Sequence, residues 1–564
     1  MAKKRSSEHS SIANKIGLCL ALGLYIVSVL MVIHNTADSN ILLDGDVETI
    51  TIAHWQLEDG YREGIDAAIK LYEELKAKEG KKVKIIQTTV PYRGYPQWFV
   101  TQLISGDPSD IIELIGASRV HNQYFVPLSS YIAQPNPYNA GTVLAGIPWK
   151  DTYVDGMDSA LDGTYAEYFG VGTCFHVTRV YVNKTLLKAA TGSDKMPTTF
   201  DEWIEDCQQL REYGKKHNKQ IIPIGVRGFD KATLSKLFHQ YFSQLNGNLN
   251  DNNSLFCESV VSNHEMLIQM ADDKLDLDRL LSVADLLNEL GQNFSEGFSA
   301  MDLEQTKFLF FTGNVGFFPE GTWNAWSMVK NSPFEVEVIN IPVIGVNNRY
   351  YKNFTGQTSE IGVRVGGKFG VTKASKHFDL ALDFLRFLTS YKTNQMAMME
   401  YCKWPPAVIK ANYQGLLKKF KPIEGDAMKA LNPPFYISKK SRTKTLEILE
   451  KIIINNNPNP KEFFWKEFIK ILPVLIEEIV STLNSTERQF FDIEGQRSCI
   501  AMERLVNKIS PTKQQSLNLR YAMALENVVG RIKHKYTSQL TLKALHKIEL
   551  EGAKKYVAKK KEIK

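Results

Sequence analysis

Hydrophobic and polar positions change period several times along this chain, and each change predicts an element. The stretch ETITIAHW, residues 48–55, alternates β-branched and polar side chains as a half-buried strand does. REGIDAAIKLYEELKAKEG follows with apolar residues at helical spacing and Gly80 past its end, and KKVKIIQTTV returns to a strand pattern. Strand, helix and strand in that order make a β-α-β unit. YPQWFVTQLISG then suits a helix and PSDIIELIGA a third, buried strand, so an α/β architecture with parallel strands is predicted. Ligands of such sheets gather beyond the carboxyl ends of the strands. Those ends carry His54-Trp55, Pro91-Tyr92-Arg93 and Glu113.

A second alternation begins near Tyr168. RVYVNKTLL reads as a strand, TFDEWIEDCQQLREYGKKH as a helix capped by Thr199, and QIIPIGV as a further strand, so two sheets are expected. From Asp230 to Phe311 the pattern is mainly helical. In GNVGFFPEGTWNAW a short strand starts before Phe317, and Pro319 and Gly321 predict an abrupt turn into a new element. GGKFGVTKASKHFDLALDFLRFLTS predicts a strand, a loop and an amphipathic helix. From Lys439 only helices are predicted, separated by NNNPNP and KISPTK.

A chain of 564 residues exceeds what one hydrophobic core usually serves, so more than one lobe is expected. A net charge of +6 over that length gives no reason to expect nucleic acid as a partner. The N-terminus departs from the rest. Residues 1–15 carry Lys3, Lys4, Arg5 and Lys15, and the uncharged run Ile16 to Ile33 follows. This basic flank before an apolar segment, placed at residues 16–34, predicts export, with everything after it outside the cytoplasm. The run just reaches the length of a spanning helix and no A-x-A site follows, which favours a retained anchor; cleavage near Thr36-Ala37 is the alternative. The six cysteines show no close spacing, so they read as small buried residues and imply neither a disulfide framework nor a metal.

An ordered set of motifs resembles a known family. HWQLEDGYREGIDAAIKLYEE, VPYRGYPQWFVTQLISGDPSDIIEL, EYFGVGTCFHVTRVYVNKTLL followed by MPTTFDEWIEDCQQL, GNVGFFPEGTWNAW and GGKFGVTKASKHFDLALDFLRFLTS span roughly residues 48 to 430. Their order is similar to that of the extracellular solute-binding proteins of ABC importers, in the branch that binds sugars. The resemblance implies a two-lobed periplasmic-binding-protein-like fold of type II, with ligand in the cleft and closure by hinge bending. It implies hinge crossings near Phe169 to His176 and Gly367 to Gly370, and a division into 46–170 and 367–402 for the first lobe, and 171–366 and 403–490 for the second. Residues 491–564 are then an added helical extension. The implied partners are a carbohydrate and ABC permease subunits, the protein itself being monomeric and without cofactor.

Sugar recognition needs flat aromatic faces for C–H patches and polar groups for hydroxyls. Trp323 lies where the family presents a stacking aromatic, with Gly321 beside it and Glu320 and Asn324 flanking it. Trp55 and Gln56 end the first strand, and Tyr92 and Arg93 follow the second; Arg93 reads equally as a ligand donor or a solvated charge. Asp110 is a ligand candidate or a turn residue, and Glu113 a candidate of the same weight. Tyr165 and, from the rigid loop KWPPAV, Trp404 complete the expected set; Trp98 and Trp326 read as core. No G-x-S-x-G, H-E-x-x-H or P-loop occurs, so the reading is not enzymatic. The anchor and the extension support a second reading, a tethered ligand sensor or scaffold without transport.

Overall fold

The computed structural model describes residues 47–116, 118–162, 167–247, 249, 263–360, 365–425, 433–436, 439–472, 476–478, 480–481 and 539–547. The apolar run 16–34, Tyr165 and most of the extension 491–564 lie outside the described residues. No helix among the described residues is long and apolar enough to cross a membrane.

The first unit follows the predicted order. Strand β1 (Glu48–His54), helix α1 (Tyr61–Lys78), strand β2 (Val83–Thr89), helix α2 (Tyr95–Ser105) and strand β3 (Ile111–Glu113) succeed one another, with β1 parallel to both β2 and β3. Helix α1 buries Tyr61, Ile65, Ala68, Ile69 and Tyr72, which fall on one face at helical spacing. Together with Ile50, Ile52 and Phe384 they form the first core.

Strand β4 (Cys174–Phe175) lies between the two units, and the second begins with the strand that follows it. β5 (Thr178–Asn183) leads through helix α3 (Phe200–Lys216) to strand β6 (Ile222–Ile224), helix α4 (Ala232–Asn246) and helix α5 (Leu303–Phe311). Strands β7 (Val315–Gly321) and β8 (Val336–Ile339) complete a sheet of order β8-β5-β7-β6. Its core gathers Val180, Trp203, Phe238, Leu287 and Ile452, distinct from the first. Helix α3 starts as predicted: the Thr199 hydroxyl accepts from the Glu202 N–H, and the Glu202 carboxylate accepts from the Thr199 N–H.

The strand containing Pro319 runs further than expected. β7 continues through Pro319 and Glu320 to Gly321, paired antiparallel with β5. The imide is tolerated because β6 pairs with β7 only as far as Phe317, leaving nothing on that side to require an N–H. The turn comes after Gly321, in a short 3-10 segment, Thr322–Asn324.

Between the two sheets β4 pairs antiparallel with β9 (Val365–Gly366), and β10 (Phe369–Val371) then joins the edge of the first sheet beside β3. A Cβ on Gly366 would lie 2.1 Å from His176 Nε2, so the ribbon can close only without a side chain there. Helix α6 (Phe378–Leu388) returns the chain to the first core. Residues just past the boundary expected at 402/403 contact the first unit. Trp404 and Ala407 belong to the first core, the Val154 N–H donates to Ala407 O, and the Ile409 N–H to Thr152 O. Helix α7 (Lys439–Ile454), helix 460–472 and residues Ala544 and Leu545 of the extension bury apolar side chains, and Leu449, Phe464, Phe468 and Leu545 join the second core.

Candidate functional site

The carboxyl ends of β1, β2 and β3 make one wall. His54 closes β1 with its Nε2 2.6 Å from Gln87 Oε1, while its Nδ1 accepts from the Gln56 N–H at 3.2 Å. Nε2 therefore carries the proton and donates. Burial above all lowers the pKa of His54 to about 4, so the ring is neutral near pH 7. Gln56 is buried and donates through Nε2 to Glu113 Oε1 at 2.7 Å. Trp55, half-buried, sets its ring edge-on to Tyr95 at 5.0 Å and to Tyr92 at 6.4 Å. Tyr92 and Arg93 are exposed, forming the lip of this wall.

The end of β7 makes the other wall. Trp323 is half-buried, and its ring sits over Gly321: a Cβ there would lie 2.2 Å from Trp323 Cη2. The glycine thus makes room for the indole rather than for a ligand. His176, just beyond β4, meets that indole edge-on at 5.3 Å and the Trp404 ring at 5.2 Å, so the three rings run from one unit to the other. Lys236 of α4 stands over the Trp323 ring, its Nζ 4.4 Å from the centroid. The same ammonium pairs with Glu320 Oε1, and Arg227 Nε lies 3.2 Å from Glu320 Oε2. Burial alone would raise the Glu320 pKa; Lys236 and then Arg227 outweigh it and hold the carboxyl below its ordinary value. Burial, with Lys236 adding to it, lowers the His176 pKa to about 4. Across the junction, burial raises the pKa of Glu58, opposed first by hydrogen bonds from the Glu58 and Leu57 backbone and least by the charge of Lys307 on α5.

Residues 55–395, more than half of the chain, match the family of bacterial extracellular solute-binding proteins. The chain belongs to that family. No curated protein matches it in sequence. Among solved structures it resembles apo RafE of Streptococcus pneumoniae, at 14% identity and a TM-score of 0.54, over 76% of this chain and 98% of that one. The RafE complex with raffinose gives 14% and 0.51, over 76% and 99%. The GacH receptor of Streptomyces glaucescens, solved unliganded and with acarbose, gives 14% and 0.51, over 76% and 98%. At such identities the likeness establishes the two-lobed fold.

In this solute-binding protein the expected site residues divide. Trp323, Glu320 and Asn324 share one wall; Trp55, Gln56, Tyr92 and Arg93 share the other. Asp110 belongs to neither. It precedes β3 at the amino end, where its Oδ2 accepts from the Thr51 N–H at 2.8 Å and its Oδ1 from the Ser375 hydroxyl at 2.6 Å. Those bonds make it a brace between β1, β3 and the turn before α6. Trp404 presents no free face: it is fully buried, with Tyr61 at 5.2 Å on one side and His176 on the other. Trp98 tilts against Tyr95 at 5.2 Å, and Trp326 is half-buried between the ammonium groups of Lys403 and Lys330. Glu320, although on the wall, is fully buried by its own ion pairs. His176, Lys236, Arg227 and Glu58 were not singled out from sequence. Glu58 and His176 lay inside quoted motifs, HWQLEDGYREGIDAAIKLYEE and EYFGVGTCFHVTRVYVNKTLL; Lys236 and Arg227 meet the site through tertiary contacts alone.

Glu113 gives the first wall a pH signature. Full burial raises its pKa from 4.5 to about 8, against the opposing hydrogen bond from Gln56. A carboxyl whose pKa rises on folding stabilises fully below the unfolded value and loses that contribution as pH climbs through the folded one. Melting temperature is therefore expected to fall between about pH 4.5 and pH 8 by an amount that Glu113→Gln removes. Parallel pH profiles of the two proteins with a constant offset would refute this assignment.

Proposed function

We propose that this protein is the extracytoplasmic receptor of an ABC importer, binding a carbohydrate between its two lobes and presenting it to the permease subunits. The observation that carries the reading is the indole of Trp323 at the end of β7, set beside buried polar groups at the junction of the lobes. Sugar-bound relatives of the same fold, RafE with raffinose and GacH with acarbose, support the solute class. Trp323 and Trp55 stack on the ligand, with Tyr92 at the lip. Gln56, Arg93, Asn324 and Glu320 supply or orient hydrogen bonds, and no chemistry is performed on the solute. Residues 46–170 and 367–402, with the added turn 403–409, act as the first lobe, and 171–366 with the closing helices as the second. Residues 16–34 serve as a retained signal anchor that holds the monomer at the outer face of the membrane.

A melting screen of the full-length chain against mono- and oligosaccharides tests the reading. A ligand that binds only the folded state stabilises it by about 2.7 kcal/mol at a hundredfold excess over Kd. One sugar class is expected to raise the midpoint by several degrees. Cooperative melting with no shift from any glycan overturns the carbohydrate assignment.

A further inference from the structure

We infer that Lys236 is a placeholder for the saccharide: its ammonium occupies the face of Trp323 on which a pyranose stacks, and the ligand binds by displacing it. This deepens the carbohydrate reading and rests on it. The indole has one face to offer. A Cβ at Gly321 would fall 2.2, 2.3 and 2.4 Å from three neighbouring carbons of the six-membered ring, near-equal distances that put the strand end over the plane of the ring and not at its edge. His176 meets the indole edge-on, the two rings perpendicular at 5.3 Å. The Lys236 ammonium stands over the ring as well, 4.4 Å from its centroid. The half-buried indole is thus a stacking platform already in use.

Lys236 is free to leave that platform. Its partner Glu320 does not depend on it alone: Arg227 Nε lies 3.2 Å from Glu320 Oε2, and the Gly321 N–H donates to Oε1 at 2.6 Å. The ammonium can therefore withdraw without leaving a bare buried carboxylate, which would otherwise oppose the motion. Its side chain is 18% exposed and rides on a flexible four-carbon stem, so solvent is within its reach. An ammonium and a sugar compete for the same property of the indole, an electron-rich face that attracts cations and polarised C–H groups alike. The cation–π contact sets a threshold: a solute with little C–H surface cannot replace it, and a pyranose can. Lys236 is in this sense a specificity-determining residue that acts before the ligand arrives.

The test is calorimetric titration of the full-length chain with glucose, maltose, raffinose and any sugar that shifts the melting midpoint, run on wild type, Lys236→Gln and Lys236→Arg. Glutamine can still donate to Glu320 but carries no cation, whereas arginine keeps a cation over the ring. Freed of the cation–π contact, Lys236→Gln is expected to bind the same sugar roughly twofold to thirtyfold tighter than wild type, and Lys236→Arg to gain nothing. Binding by Lys236→Gln alone is the same result at larger amplitude. Should that variant not fold, Lys236→Ala takes its place. Loss of cooperative melting in both overturns the inference, because a side chain that leaves on binding cannot be indispensable to the fold. Equal or weaker binding by the glutamine variant, or an equal gain in the arginine variant, overturns it too and leaves the carbohydrate reading standing. No binding of any sugar by any of these proteins removes both.

Discussion

Replacing Arg179 with methionine is expected to cost about 3–5 kcal/mol of stability, the range for removing one partner of a buried ion pair. Arg179 lies in β5 with no exposed surface, and Glu360 is 7% exposed. The pair is bidentate, Nη1 to Oε1 at 2.6 Å and Nη2 to Oε2 at 2.9 Å. The remaining guanidinium protons are used as well: Nε donates to Lys419 O at 2.6 Å, Nη1 to Thr178 O at 2.8 Å and Nη2 to Lys421 O at 2.9 Å. Glu360 in turn accepts from the Ile423 N–H at 3.0 Å. One side chain therefore fastens the segment 419–423 to the second sheet. Methionine keeps an unbranched apolar stem but strands a carboxylate and three carbonyls. Chemical denaturation should show the loss, and adding Glu360→Leu should restore much of it by removing the stranded charge. A single variant within about 1 kcal/mol of wild type would mean that water reaches the pair.

The sequence disclosed what depends on local period and lost what depends on pairing. The β1-α1-β2 unit was legible because its apolar positions change from period two to helical spacing and back. The start of α3 was legible because a cap signals within three residues, and Thr199 with Glu202 completes that pattern. Pro319 misled because a proline's fit depends on where the neighbouring strand ends, and β6 ends at a position no local rule gives. Trp404 misled for a similar reason. A loop with two prolines suggests display of its aromatic, but the Tyr61 and His176 rings that cover Trp404 come from distant segments. Among the site residues Glu320 was legible, whereas its partner Lys236 is 84 positions away and helical spacing gives it no distinction from any other lysine. The motif therefore reported the position of the wall and not its charge, which comes from side chains that only the fold brings together.

Replacing Trp323 with alanine is expected to abolish most ligand affinity while leaving the protein folded. The indole is only half-buried: it meets an edge of His176 at 5.3 Å, the Lys236 ammonium at 4.4 Å and the backbone at Gly321, and it packs at the margin of the first core. A fully buried tryptophan removed from a core costs about 3–5 kcal/mol, and a partly exposed one at a lobe junction costs less. An aromatic anchor in a binding site costs about 2 kcal/mol or more when truncated, roughly thirtyfold in Kd. The balance favours a binding defect over a folding defect. Gly321→Ala sharpens the test, because its φ of −77° is open to any residue and the nearest conflict is the Cβ against the indole. That variant keeps the tryptophan and displaces it, so affinity should fall although the stacking group remains. Calorimetric titration with the sugar found in the melting screen, beside melting curves of both variants, separates the two roles. If Trp323→Ala loses its cooperative transition, or keeps wild-type affinity, the indole is a plug between the lobes and the ligand stacks elsewhere, with Trp55 on the opposite wall the next residue to replace.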